Sequence, residues 1–241
     1  MKVRISVIIP AYNEGKHLSS CLESLQHQTY PKDQFEIIVV DNGSKDNTAA
    51  VARKFTSKVF VYKDIQGCGA SRQFGSTQAK GDILVFMDGD CIAKPDWLSK
   101  IDELLKDPTV VCVGGTGIPD KKTLGAWFLF GFYDWFWSLN NALRKPLMWG
   151  YNMAIKRSAY EEVGGINSSL LSSEDWEVAL RLQKRFGKES IRYIKDLEVI
   201  TSTRKQIKPK IFYRYAKNGI YNYVMMMLLG KVKARASFNV R

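Results

Sequence analysis

The chain has 241 residues, 45% of them hydrophobic and 25% charged, proportions of a globular protein with one sizeable α/β domain and additions, or at a stretch two small domains. Its net charge of +12 is uneven: residues 199–241 hold ten Lys or Arg and no acid, leaving 1–198 with 26 basic and 24 acidic residues. A basic segment suits an anionic membrane or a diphosphate, and nucleic acid ranks last because no recognised nucleic-acid motif accompanies it. Cys21, Cys68, Cys91 and Cys112 are scattered with no C-x-x-C spacing, so neither a disulfide frame nor a zinc site is indicated and reduced thiols are expected. The stretch before Pro10 is too short in apolar residues to read as a secretory leader.

In chain order, Ile5 to Ile9 is a short β-rich run that Pro10 is expected to stop. Asn13 is a candidate cap for a helix from Glu14 to Gln28, with Leu18, Cys21, Leu22 and Leu25 at helical spacing. Phe35 to Val40 is a second buried strand, ending in Asp41-Asn-Gly-Ser44. Asp46 caps a helix from Asn47 to Phe55, Val59 to Tyr62 is a third strand, and Gly67 to Ala79 is a helix. Ile83 to Met87 is apolar throughout, as in a parallel strand buried on both faces, and it ends in Asp88-Gly-Asp90. The order β-α-β-α-β-α-β implies an α/β fold with a largely parallel, doubly wound sheet.

Beyond Asp90, a helix from Pro95 to Leu105 and a strand from Val110 to Val113 are expected. Leu124 to Leu143 is an aromatic-rich helix crowded with Trp127, Phe128, Phe130, Phe132, Tyr133, Trp135, Phe136 and Trp137 and interrupted by Asp134. Its apolar run falls short of the ~20 residues a spanning helix needs. Short helices at Tyr160 to Val163 and Glu174 to Phe186, edge strands at Ile191 to Ile194 and Leu197 to Ile200, and an amphipathic basic helix from Lys208 complete the reading.

Asp88 and Asp90 would lie at the carboxyl end of a parallel strand, where open α/β sheets bind ligands. One residue apart, they point the same way, and Gly89 permits close approach of a ligand. Hard carboxylate oxygens suit Mg²⁺ or Mn²⁺, which take their remaining ligands from water and substrate phosphates.

Together, Val7-Ile-Ile-Pro-Ala-Tyr-Asn-Glu14, Val39 to Asp46, Gly69-Ala-Ser-Arg72 with Gly75, Asp88-Gly-Asp90, Pro95 to Leu98, Gly150 to Ala154 with Gly164-Gly165, and Ser173-Glu-Asp-Trp176 resemble family 2 glycosyltransferases of the GT-A fold. The resemblance runs from residue 5 to about 205 and extends to transferases that build lipid-linked glycans and to cellulose-synthase-like catalytic domains. It implies a Rossmann-like domain at 1–205, with a donor half at 1–114 and an acceptor half at 115–205, and the basic, amphipathic composition of 206–241 points to a membrane-associated tail.

The resemblance also implies roles. Pro10, Ala11, Tyr12 and Glu14 would wrap the base and ribose of a nucleotide sugar, with Asp41 accepting from the base. Gly67 and Gly69 would let backbone approach ribose, and Arg72 would steady that loop or contact substrate. Asp88 would contact ribose or metal-bound water, Asp90 would hold Mn²⁺ or Mg²⁺, and Gly89 would lie against the donor. Arg204 and Lys205 stand where related synthases carry a diphosphate-binding Q-x-x-R-W motif, which this chain lacks. Asp175 would be the general base, at a helix start whose dipole favours carboxylates, with Glu174 assisting it. Trp149, Asn152 and Trp176 would line the acceptor side.

The expected activity is inverting, metal-dependent transfer from a nucleotide-diphosphate sugar, GDP-mannose slightly favoured over a UDP-hexose, to a hydroxyl of a lipid-linked glycan. Such a protein would lie peripherally on the cytoplasmic side of the cell membrane, with a spanning segment outside these residues left open. The alternatives are a soluble polysaccharide or protein glycosyltransferase and a non-catalytic, membrane-associated nucleotide-sugar binder.

Overall fold

The computed structural model describes residues 3–121, 123–143, 145, 147–170, 172–204, 217, 219–225 and 228, with backbone alone at 126, 127 and 129. Strands β1 (Ile5–Ala11), β2 (Phe35–Asp41), β3 (Val59–Val61) and β4 (Ile83–Phe86) pair in parallel in the order β3-β2-β1-β4. They are joined through helices α1 (Leu18–Gln26), α2 (Thr48–Ala52) and α3 (Cys68–Gln78). The chain first winds outward to β3 and then returns across β1 to β4. The switch in direction opens a crevice beyond the carboxyl ends of β1 and β4.

The sheet continues through β7 (Met153–Lys156), β6 (Cys112–Pro119), β8 (Ile191–Thr201) and β5 (Cys91–Ala93), for eight strands, mostly parallel. The antiparallel pairs are β4 with β7, β6 with β7, and β5 with β8. Helices α4 (Trp97–Leu104), α5 (Leu124–Ala142), α6 (Arg157–Glu162) and α7 (Glu174–Phe186) complete the described elements.

The apolar runs are buried on both faces because each face has its own core. Ile5, Val7 and Ile9 pack with Leu18, Leu22, Leu25 and Trp97, whereas Ile8, Val40 and Phe86 pack with Tyr160, Trp176 and Trp137. Helix α3 lies close on the sheet at Gly75, where a Cβ would come within 2.5 Å of Ile8 Cγ2.

Several expectations are corrected. Pro10 does not end β1, which runs to Ala11. The β4 ladder stops at Ile8–Phe86, so the side on which Pro10 lacks an N–H has no ladder bond to lose. Helix α1 starts at Leu18, and Asn13 caps nothing: at φ 54° its side-chain oxygen accepts from Lys45 N at 2.9 Å. Ile191 to Thr201 is one interior strand, not two edge strands, because β6 flanks one side and β5 the other. Its exposed Lys195-Asp196 falls where the register with β6 shifts between Gly115 and Gly117.

Asn152 is also corrected, from an acceptor contact to a core pin. It is fully buried, donates to Thr116 O at 3.0 Å and Leu197 O at 2.7 Å, and accepts from Trp97 Nε1 at 3.0 Å. It thereby ties β6, β8 and α4 together. Asn152→Ala strands a buried donor and two buried carbonyls and should lower stability by about 2–4 kcal/mol in urea unfolding.

Candidate active site

Two loops meet at the crevice. The one after β1 is tied to the one after β2: Asn13 N donates to Ser44 Oγ at 2.9 Å, Glu14 N to Thr48 Oγ1 at 2.8 Å, and Gly15 N to Asp46 Oδ2 at 3.1 Å. Asp46 therefore braces loops, and its ionised form is favoured by the hydrogen bonds from Thr48 and Gly15 even against desolvation. Asp41 is buried and accepts from Ser44 N at 2.8 Å, while Tyr12 is half-buried and Pro10 and Ala11 are buried in β1.

Asn42 was not singled out by the sequence reading, yet it holds the segment leading into α3. Its amide donates to Tyr62 O at 2.9 Å and Ile65 O at 3.0 Å, and its oxygen accepts from Gly67 N at 2.8 Å. No local signal marks an Asn whose partners lie so far along the chain.

The centre is Arg72, on α3 and only 4% exposed. Its Nη2 donates to Asp88 Oδ1 at 2.7 Å and its Nη1 to Glu174 Oε1 at 2.6 Å. A buried guanidinium needs such partners, since desolvation of an unpaired charge costs several kcal/mol. The fork joins the end of β4 to the start of α7 across a wide separation in sequence. Gly150 faces it so closely that a Cβ would lie 2.7 Å from Arg72 Nη1.

Asp175 follows Glu174 in the first turn of α7. Its Oδ2 accepts from Gly150 N at 2.7 Å and its Oδ1 from Trp176 N at 2.9 Å. Loss of water around the carboxyl, with Glu174 beside it, raises it from 3.8 to about 7 despite the opposing pull of Arg72. A carboxyl so placed can both hold and release a proton near neutrality.

On the other flank, Arg204 Nη2 donates to Asp90 Oδ2 at 2.9 Å and also pairs with Glu14 Oε1. Asp120, unmarked in the sequence reading, accepts from Thr203 N at 2.9 Å and Thr203 Oγ1 at 2.8 Å and so sets the turn that presents Arg204. Asp88 and Asp90 thus bind different arginines, with Gly89 against Leu18 and Glu14. Cys21 lies behind them, its thiol pushed up by burial and then by Asp90, Asp88 and Glu14, which leaves it no thiolate character.

Among the described residues no three His, Cys, Asp or Glu converge as a metal cage. Mn²⁺ and Mg²⁺ do not require one, since one or two carboxylates with phosphate oxygens and water suffice. Asp90 and Glu14 already share one cationic nitrogen, so the donor set fits a cation there.

The aromatic residues divide. Trp149 stacks on Trp137 at 3.9 Å between centroids and on Tyr151 at 5.2 Å, and stays partly exposed. Trp176 is buried, with its ring centroid 5.8 Å from that of Trp137 at a steep angle, so it packs into the wall of the cleft. Lys205 and the Trp127 side chain lie outside the described residues.

The model of the family described as "Glycosyl transferase family 2" matches residues 6–164. The chain belongs to that family. The match takes in Glu14, Asp41, Arg72, Asp88 and Asp90, and stops before Glu174, Asp175 and Arg204. The glycosyltransferase AglE of Haloferax volcanii is 32% identical over 182 residues, 71% of this chain and 58% of that protein, so the family-2 chain spans little more than half of that relative. Among solved structures, mannosyltransferase PcManGT from Pyrobaculum calidifontis in complex with GDP-Man and Mn²⁺ superposes with a TM-score of 0.78 at 21% identity, over 98% of this chain and 66% of that one. Staphylococcus aureus TarS 1-349 in complex with UDP-GlcNAc gives 0.68 at 18% identity, over 93% and 65%. The fold of this family-2 chain is GT-A.

A raised Asp175 makes a signed prediction. The folded state holds this proton more tightly than the unfolded chain, so the residue's contribution is fully present below pH 3.8 and is lost as pH rises through about 7. Asp175→Asn cannot ionise and escapes that loss. Its stability relative to wild type should climb from about pH 4 to about pH 7 in urea unfolding and level off above that, and a difference flat with pH across this window would contradict the assignment.

Proposed function

We propose that the chain is the catalytic domain of an inverting, metal-dependent hexosyltransferase that moves a sugar from a nucleoside-diphosphate donor to an acceptor hydroxyl. The observation that carries this reading is Arg72, which binds Asp88 on the donor side and Glu174, the neighbour of the base, on the acceptor side. The sugar would react between these two flanks.

Asp175 takes the proton from the acceptor hydroxyl as its oxygen bonds to the anomeric carbon, and the electron pair of the breaking carbon–oxygen bond leaves with the diphosphate. One displacement inverts the anomeric centre. Glu174, committed to Arg72, keeps negative charge beside Asp175 and with burial holds its proton affinity near that of the medium. Asp41, Tyr12 and the backbone at Gly69 receive base and ribose. Asp90 would hold Mn²⁺ or Mg²⁺, with Asp88 reaching it through water, and a metal so held supplies positive charge that stabilises the leaving diphosphate. GDP-mannose is the slightly favoured donor, supported by the likeness to PcManGT, and a UDP-hexose is the other.

Helix α5 supports a membrane surface, and with it a lipid-linked acceptor; the cytoplasmic side is part of the same proposal. Its inner stripe packs Trp137 on Trp149 and sets Asp134 against Lys195 at 2.8 Å, which explains the acid in the aromatic run. Its outer stripe, Leu124, Phe128, Phe132, Trp135, Leu139 and Leu143, is exposed at helical spacing, with Phe132 at 55% and Trp135 at 57%. Ile220, Val224 and Leu228 add a second exposed apolar row, and the basic 199–241 segment supplies cations for anionic headgroups. No described helix is long and apolar enough to cross a membrane.

Calorimetric titration with GDP, UDP, GDP-mannose and UDP-sugars, each with and without Mn²⁺, should find metal-dependent binding of one nucleotide class that Asp90→Ala abolishes. Binding of none by folded protein sinks the reading. Asp175→Asn should keep donor affinity while turnover falls by about 10²–10⁴-fold. Phe132→Ser with Trp135→Ser should reduce sedimentation with anionic vesicles, and unchanged sedimentation would remove α5 as the docking face.

A further inference from the structure

Arg204 occupies the seat that the reading above gives to a divalent cation. Its Nη2 lies 2.9 Å from Asp90 Oδ2 and also pairs with Glu14 Oε1. The two carboxylate side chains are 6% and 9% exposed, whereas the Arg204 side chain is 30% exposed. The acids are fixed in the floor and the cation is the accessible partner. Among the described residues its buried Nε has no hydrogen-bond partner, so the guanidinium is held through the carboxylates and not gripped along its whole edge. Thr203, anchored on Asp120, fixes the turn at its base and leaves a long side chain above a fixed backbone.

A divalent ion entering at Asp90 would meet this guanidinium in a low-dielectric cleft, and two cations cannot share two acids there without strong repulsion. A nucleoside diphosphate changes the balance. It brings the anionic charge that lets both cations stay, and its phosphate oxygens offer a guanidinium a bidentate partner at least as good as the carboxylates it leaves.

We propose that Arg204 is an internal counter-ion that blocks the Asp90–Glu14 seat until a nucleoside diphosphate draws it away, so that metal and diphosphate bind strongly only together. Arg204 is in this sense a positioning residue. Its exchange of partners couples two ligands, and the coupling is reciprocal: the diphosphate raises metal affinity by the same factor as the metal raises diphosphate affinity. The inference rests on the donor-site reading given under Proposed function, and it concerns the order of binding, which that reading leaves open.

The test is titration of wild type, Arg204→Gln and Arg204→Lys with Mn²⁺ alone, with UDP and GDP alone, and with both together. Wild type should bind Mn²⁺ alone weakly, and the bound nucleotide should tighten it by about tenfold or more. Arg204→Gln should bind Mn²⁺ alone about tenfold or more tightly than wild type, bind the nucleotide more weakly and show a coupling factor near one. Arg204→Lys, which keeps the charge without the fork, should fall between them. Thermal unfolding gives a second readout: Arg204→Gln should be less stable without metal, because two enclosed acids lose the guanidinium they share, and should regain more from Mn²⁺ than wild type does.

A folded Arg204→Gln whose affinity for Mn²⁺ alone is unchanged or weaker overturns the proposal. So does wild-type Mn²⁺ binding that ignores the nucleotide, a result that needs no variant. Failure of wild type to bind any nucleoside diphosphate with metal present sinks the glycosyltransferase reading itself. Normal wild-type binding with no gain in the variants sinks the counter-ion role alone.

Discussion

A guanidinium removed from water has to be paid for by carboxylates, and Arg72 has two, Asp88 and Glu174, on elements far apart in the chain. Three consequences follow from that pairing. The end of β4 and the start of α7 are fixed relative to each other. Gly150 leaves room for that guanidinium, since a Cβ there would lie 2.7 Å from Arg72 Nη1, and a Cβ at Gly69 would sit tightly, at 3.0 Å, on Glu174 Cγ. And Asp175, carried beside Glu174, is delivered to the same cleft with a raised proton affinity.

The cleft is acidic inside a basic protein. Among the described residues Glu14, Asp88, Asp90, Glu174 and Asp175 gather around Arg72 and Arg204, although the chain carries +12 overall. The excess of basic residues in the sequence lies in 199–241. The segregation matches the division of labour proposed here: a donor with its metal in the acidic crevice, and an anionic surface beside the aromatic helix. Helix α5 serves both sides, because its buried stripe braces Trp149 and Trp176 near the base while its outer stripe is exposed.

Much of the parallel half was legible because its signals are local. Buried strands announce themselves as unbroken apolar runs, and β1, β2 and β4 lie where those runs are. Helices α3, α5 and α7 begin and end within a residue or so of the boundaries expected from periodicity and glycine placement. The failures have a shared cause. Strand β5 is three residues of edge held by β8 and by α1, both distant in sequence, and the tolerance of Pro10 depends on which side the neighbouring ladder ends. The resemblance puts Asn152 and Trp176 on the acceptor side because they stand beside the motif residues in sequence. Their neighbours in space claim them instead.

The sequence by itself determined the fold class, the family and the identity of the acids, since apolar periodicity and short motifs such as Asp88-Gly-Asp90 are written in neighbouring residues. Tertiary structure alone decided which acid meets which arginine. Asp88 and Asp90, one residue apart and expected to act together, turn to Arg72 and Arg204 respectively. Asn42, Asp120 and Gly150 gained their roles from partners across the fold. The physical reason is that burial and charge pairing depend on distance in space: a carboxylate's proton affinity, and the cation it holds, are set by whatever the folded chain brings within a few ångströms of it.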